Sequence, residues 1–228
     1  MMHTYLLPLK KQFEKNRNEA LAIRMKQYMK DQYAYFGIPS PLRREILRDF
    51  LKTNGLPKEN DLEEITKDCW NQPEREYQYF IMEVLGKMAK KADPSSIELY
   101  EYISVHKSWW DTIDYIASNL VGVHFKKYPD QIKPQTEKWM DSENMWLQRV
   151  SLLFQLKYKS KTDVDLMTRY IERLFGSKEF FINKAIGWIL REYSKTNPDW
   201  VVKYVHENKS RLAGLSYREA LKWLDKKG

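Results

Sequence analysis

Trp146-Leu147-Gln148-Arg149-Val150-Ser151-Leu152-Leu153-Phe154 reads as an apolar helix with a single charge set into it. Its apolar side chains recur at three- and four-residue steps, the spacing of one helix face. An arginine in such a stretch has two readings. Its stem snorkels from the core or its head pairs with a neighbouring acid, or the guanidinium faces a ligand. Thirty-five residues upstream, Ser108-Trp109-Trp110-Asp111-Thr112-Ile113-Asp114 places Asp114 in a second helix of this kind. Thirty-five residues downstream, Asn183-Lys184-Ala185-Ile186-Gly187-Trp188 places Lys184 in a third. An acid, two bases and the tryptophans Trp110 and Trp188 thus recur once per repeat and can line one continuous groove.

Helices starting near Pro73, Trp109, Asn144 and Lys178 read as the second helices of successive pairs, at a period of 35 to 37. A period of about 35 belongs to two-helix repeats of the HEAT or tetratricopeptide kind. The Trp-x2-Leu-Gly and Ala-x3-Phe marks of the latter are missing, which leaves a degenerate HEAT-like array. Starts are marked by Ser40-Pro41, Asp93-Pro94 and Asn197-Pro198, each a capping side chain before a proline at the first helical position. Gly55, Gly176 and the polar run from Lys157 to Thr162 mark stops. With only eight Gly, and apolar residues recurring at three- and four-residue spacing almost throughout, hairpins are not signalled. The expected fold is all-α, a right-handed α-α superhelix (solenoid) of HEAT-like two-helix repeats with a concave basic groove, forming a single domain over residues 1–228.

Composition narrows the function classes. The 43% hydrophobic fraction and 14% aromatics exclude a disordered chain. The net charge of +8 is unevenly spread: residues 151–228 hold 16 Lys/Arg against 9 Asp/Glu, and residues 1–150 hold 23 against 22. A basic surplus in one half suits a polyanion such as nucleic acid, and it also serves solubility. Cys69 stands alone, so an intrachain disulfide is excluded and a reducing cytoplasm is expected. No secretory or membrane-spanning run is present, and neither export nor a membrane is expected. Without a His/Cys ligand set, a Gly-rich phosphate loop or a dinucleotide fingerprint, no metal or other cofactor is expected.

The individual residues each carry a plain reading beside the functional one. Trp109 and Trp110 lie about 100° apart on a helix, so one packs inward and its neighbour is expected at the surface. Ser108-x-x-Asp111 has the form of a capping box, which gives Asp111 a structural task. Asp114 shares a face with Trp110 at i,i+4; the pair is either an aromatic and a carboxylate facing one ligand, or a core Trp beside a solvated Asp. Trp188 beside Gly187 fits ordinary packing between repeats as well as a groove. Lys157, Lys159 and Lys161, and the helix with Lys184, Arg191 and Lys195, are either phosphate contacts flanking the groove or a solvated face.

From Met29-Lys30 and Gly37-Ile38-Pro39-Ser40-Pro41-Leu42-Arg43-Arg44 to Leu215-Ser216-Tyr217-Arg218-Glu219-Ala220 the sequence resembles the bacterial DNA alkylation repair family of AlkD-like DNA glycosylases. The most specific pieces are Pro73-Glu74-Arg75-Glu76, Lys107-Ser108-Trp109-Trp110-Asp111, Trp146-Leu147-Gln148-Arg149, and Ser177-Lys178-Glu179-Phe180-Phe181-Ile182 continuing through Gly187-Trp188 to Arg191-Glu192-Tyr193. The resemblance implies excision of N3- and N7-alkylated purines from double-stranded DNA by a monofunctional hydrolase. It also implies a monomer in the bacterial cytosol, on the chromosome. The family's cleft residues fall on Trp110, Asp114, Arg149 and Trp188, with Arg149 expected to clamp a phosphate. Ser40 and Arg44 are implied contacts to the DNA backbone.

Overall fold

The computed structural model describes residues 2–225, whose regular structure is helical apart from one isolated bridge between Ala34 and Glu74. The chain divides into two compact units, residues 1–88 and 89–228. Among the described residues no helix is long and apolar enough to cross a membrane.

The first unit contains α1 (Leu7–Lys15), α2 (Glu19–Tyr28), α3 (Ser40–Asn54), α4 (Leu62–Asn71) and α5 (Arg75–Met88). Its core is aromatic, with Phe13 edge-on to Tyr77 at 5.1 Å and Phe50 edge-on to Phe80 at 5.2 Å. The segment entering α3 is pinned by Glu76, buried on α5. Its carboxylate accepts the backbone N–H groups of Phe36, Gly37 and Ile38 at 3.0, 2.9 and 3.1 Å. Gly37 has φ +84°, and a Cβ there would stand 2.0 Å from the Asn18 carbonyl oxygen, so only glycine fits.

The caps depart from expectation in three places. Pro39, extended at ψ 154°, takes the position before α3, so Ser40 is the first helical residue and not its cap. Asp93 acts earlier than expected: its Oδ1 accepts from the N–H and hydroxyl of Ser95 at 2.9 and 2.7 Å, shaping the turn before the next helix. Ser108 falls one position before the cap, which is Trp109, and donates its hydroxyl to the Ser104 carbonyl at 2.5 Å. Asn197 behaves as expected and accepts from Trp200 N–H at 3.2 Å, with Pro198 the first residue of its helix.

The second unit is a two-layer array. One layer comprises α6 (Ser96–Val105), α9 (Ile132–Asp141), α11 (Val164–Arg173) and α13 (Pro198–Glu207). The other comprises α7 (Trp110–Tyr115) and α8 (Gly122–Lys127), joined by a π-helical stretch Ile116–Val121, then α10 (Met145–Leu153), α12 (Phe180–Ser194) and α14 (Gly214–Leu221). Helices α5, α7, α10 and α12 begin at Arg75, Trp110, Met145 and Phe180, a step of 35 residues each time. In the second layer α7 contacts α10, α10 contacts α12, and α12 packs most extensively on α14.

Side-chain links in this unit join positions about one repeat apart. Glu101 accepts from Lys138 and Trp139, both at 2.9 Å. Thr136 bonds the Tyr170 hydroxyl at 2.6 Å, and Tyr158 donates to the Gly122 carbonyl at 2.7 Å. Helices cross closely where side chains vanish: a Cβ on Gly122 would lie 2.4 Å from the Phe154 carbonyl oxygen, and one on Gly187 would lie 2.5 Å from Glu219 Cβ.

Candidate active site

Helices α7, α10 and α12 converge on a cleft of about 330 Å³ lined by Trp110, Asp114, Arg149, Phe180, Phe181, Lys184, Trp188 and Arg191. The four residues expected in the groove are therefore brought together, and two of the expected lysine and arginine contacts join them. The 35-residue step explains the convergence of Asp114, Arg149 and Lys184, which sit at the same position of successive equivalent helices, with Trp110 and Trp188 one turn from the first and the last.

Asp114 and Arg149 form a forked pair: Nε donates to Oδ1 at 2.8 Å and Nη2 to Oδ2 at 3.0 Å. The third arm, Nη1, donates to the Phe181 carbonyl. With the Arg149 side chain 3% exposed and Asp114 at 19%, the acid faces the cleft and the arginine lies behind it. The donor arms of Arg149 are turned onto Asp114 and the α12 backbone, so the pairing with a neighbouring acid, one of the two readings of this arginine, is what the structure contains. Asp114 is accordingly not a solvated acid but a largely buried, paired carboxylate. Burial pushes its pKa above the ordinary aspartate value, against the hydrogen bonds and charge of Arg149 that draw it down.

Both Trp109 and Trp110 are half-buried, which corrects the expectation of one exposed indole. Trp109 packs at 5.8 Å from Trp146 and 5.3 Å from Phe181, forming an aromatic base beneath the cleft, while Trp110 is in its lining. Phe180, at the N-terminus of α12, is 59% exposed at the cleft mouth.

Lys184 and Arg191 are each ion-paired to a residue that the sequence reading did not single out. Glu219, on α14 and 7% exposed, takes Lys184 Nζ on Oε1 at 2.7 Å and Arg191 Nη1 on Oε2 at 2.6 Å, with Lys222 at 3.5 Å. Burial alone would raise its pKa; the Lys184 hydrogen bond and the charges of Lys184, Arg191 and Lys222 outweigh that and hold it below the ordinary glutamate value. The signal was present. Glu219 lies one further step of 35 beyond Lys184, so the series Asp114, Arg149, Lys184 continues with it.

The remaining expected contacts lie outside this cleft. Lys157 is exposed and donates to Asn119 Oδ1 at 2.6 Å. Lys159, in a 3-10 turn with φ +54°, and Lys195, paired to Glu192 at 2.6 Å, border a separate hollow of about 300 Å³ with Tyr193. Ser40 and Arg44 are exposed on the first turns of α3, in the other unit.

The comparisons with known proteins agree with this geometry. The profile of the DNA alkylation repair enzyme family matches residues 9–224. A solved structure described as a predicted DNA alkylation repair enzyme from Enterococcus faecalis is 32% identical in sequence. It superposes with a TM-score of 0.84 over 92% of this chain and 98% of its own. A comparison with curated proteins gives no match. An all-helical chain matched over nearly its whole length by one family profile, and by a structure described in the same terms, belongs to the DNA alkylation repair enzyme family.

Proposed function

We propose that the protein is a DNA glycosylase that hydrolyses the N-glycosidic bond of cationic N3- and N7-alkylated purines, such as 3-methyladenine and 7-methylguanine, in duplex DNA. The observation that carries this reading is the Asp114 carboxylate. It is held in a fixed plane by Arg149 and faces a cleft walled by Trp110 and Trp188. An N3- or N7-alkylated purine already bears a positive charge and leaves without a general acid. The species to be stabilised is the oxocarbenium ion of the sugar. A carboxylate about 4 Å from it contributes roughly 4 kcal/mol at an effective dielectric of about 20, on the order of a thousandfold in rate. Partial cancellation by Arg149 makes that a ceiling. Such a factor is enough for a labile cationic lesion and far too small for an intact neutral base, so selectivity comes from the substrate's own reactivity.

In this mechanism Asp114 stabilises the developing cation and orients the attacking water, as a carboxylate does in glycoside hydrolysis. Arg149 needs no reorganisation at the moment of reaction, because its fork already fixes the acid. Trp110 and Trp188 offer π faces to the cationic nucleotide and sugar. Lys184, Arg191, Lys157, Lys159 and Lys195, with Ser40 and Arg44, are proposed to contact phosphates. Hydrolysis needs only water, and the residues present call for no cofactor.

The test is release of free alkylated purine from methylating-agent-treated duplex DNA by the wild-type protein and by Asp114→Asn. Release of 7-methylguanine or 3-methyladenine by the wild type alone, with duplex binding kept by the variant, is the expected outcome. Equal release by both would remove Asp114 from the centre of the reaction. Binding without release by the wild type would reduce the protein to a non-catalytic helical-repeat binder of nucleic acid.

A further inference from the structure

One position per repeat forms a line of charge across the four consecutive helices α7, α10, α12 and α14: Asp114, Arg149, Lys184 and Glu219. Its order is negative, positive, positive, negative. The two acids stand at the ends and divide the cations between them, Asp114 with Arg149 and Glu219 with Lys184. Arg191 joins Glu219 from the far side of Trp188, since Lys184, Trp188 and Arg191 stand at i, i+4 and i+7 on one face of α12. The root of the Glu219 side chain is fixed against α12, because the missing Cβ of Gly187 lets the two helices touch there. Ser216, one turn earlier on α14, adds a second tie by donating to the Asn183 carbonyl at 2.8 Å.

We infer that Glu219 is a positioning residue of the cleft, which draws Lys184 and Arg191 toward α14 and away from Asp114, leaving that carboxylate to Arg149 and to an arriving cationic nucleotide. The inference rests on the excision reading above and deepens it. Asp114 is the one acid among the residues lining the cleft. If the Glu219 charge is removed, two cations in the same lining lose their anion. They turn to Asp114 or stand as like charges beside the alkylated purine, and either arrangement opposes the cationic transition state. Toward the DNA backbone the effect is reversed, because cations released from an internal partner add attraction for phosphate.

The discriminating variant is Glu219→Gln in the full chain, assayed for binding to undamaged and methylated duplex across a salt series and for single-turnover release of 7-methylguanine. The expected result is a pair of shifts of opposite sense. The slope of log K against log salt steepens by roughly one unit, while release at saturating protein slows by about tenfold. A parallel loss of binding and release is what a merely structural glutamate produces, and it overturns the inference, as do unchanged or faster release and an unchanged slope. Should Glu219→Gln fail to melt as a folded protein, Glu219→Asp keeps the charge but reaches less far; the same two shifts at smaller size support the inference, and their absence overturns it. If the wild type itself releases no base, the excision reading fails, and the binding arm alone then judges Glu219: a steeper slope supports the positioning role and any other outcome overturns it.

Discussion

At the scale of the residue, the Asp114–Arg149 pair sets the conditions under which the site works. The reaction needs the ionised carboxylate, and burial raises its pKa above 3.8 while Arg149 opposes the rise. Activity is therefore lost as pH falls through a value higher than that of an ordinary aspartate. Single-turnover release, corrected for spontaneous loss of the base, should show an acid limb with its midpoint above 3.8. Arg149→Gln removes the main influence holding that midpoint down, so the limb should move to still higher pH. The same variant leaves a buried carboxylate without its cation and should cost roughly 3–5 kcal/mol in a melting experiment. An unmoved limb would show that another group titrates. Both members of this pair were legible from their common register, and pairing with a neighbouring acid was one reading of Arg149, but the spacing did not choose that reading over the other. Sequence spacing puts two side chains on equivalent helices; it does not say that they point at each other rather than outward to a shared ligand. Glu219 was missed for a simpler reason, in that the series was followed to Lys184 and not one step further.

At the scale of the element, the helix starts were well signalled because a 3.6-residue apolar period, capping side chains and prolines agreed with one another. What escaped was local hydrogen-bond competition. Ser108 has the form of a cap, yet its hydroxyl reaches back to Ser104. The π-helical stretch Ile116–Val121 gives no warning in composition, and Ser118 donates to the Asp114 carbonyl at 2.9 Å in the turn that enters it. Gly187 enters the sequence reading only as the neighbour of Trp188, yet it is the residue at which α12 and α14 come into contact. Gly187→Ala should force α12 and α14 apart, since its Cβ meets Glu219 Cβ at 2.5 Å and the Ser216 carbonyl oxygen at 2.8 Å. Overpacking of this kind costs typically about 1–3 kcal/mol, a fall in melting temperature that calorimetry resolves. Gly214→Ala is the control, because its nearest neighbour is the flexible end of Arg218 at 3.3 Å and a smaller change is expected.

At the scale of the whole molecule, the basic surplus in residues 151–228 predicts duplex binding that weakens steeply with salt, by roughly 0.9 in log K per phosphate contact for each decade of salt. Competition between duplex and single strands at matched salt should favour the duplex; a preference for single strands would point to base stacking on the exposed aromatics instead. The 35-residue ladder of the second unit bears equally on how that unit forms. Its polar links between neighbouring repeats span between 28 and 38 residues, from Arg191–Glu219 to Trp139–Glu101 and Lys157–Asn119. Chain closure is therefore needed only over about one repeat at a time, which is the condition for rapid, stepwise folding from any starting pair. Its reverse is local opening: one rung can part from its neighbour while the hydrogen bonds of another, such as those between Asp114 and Arg149, stay closed. Amide exchange would then vary from rung to rung, with α12 and α14, the most extensively packed pair, opening together.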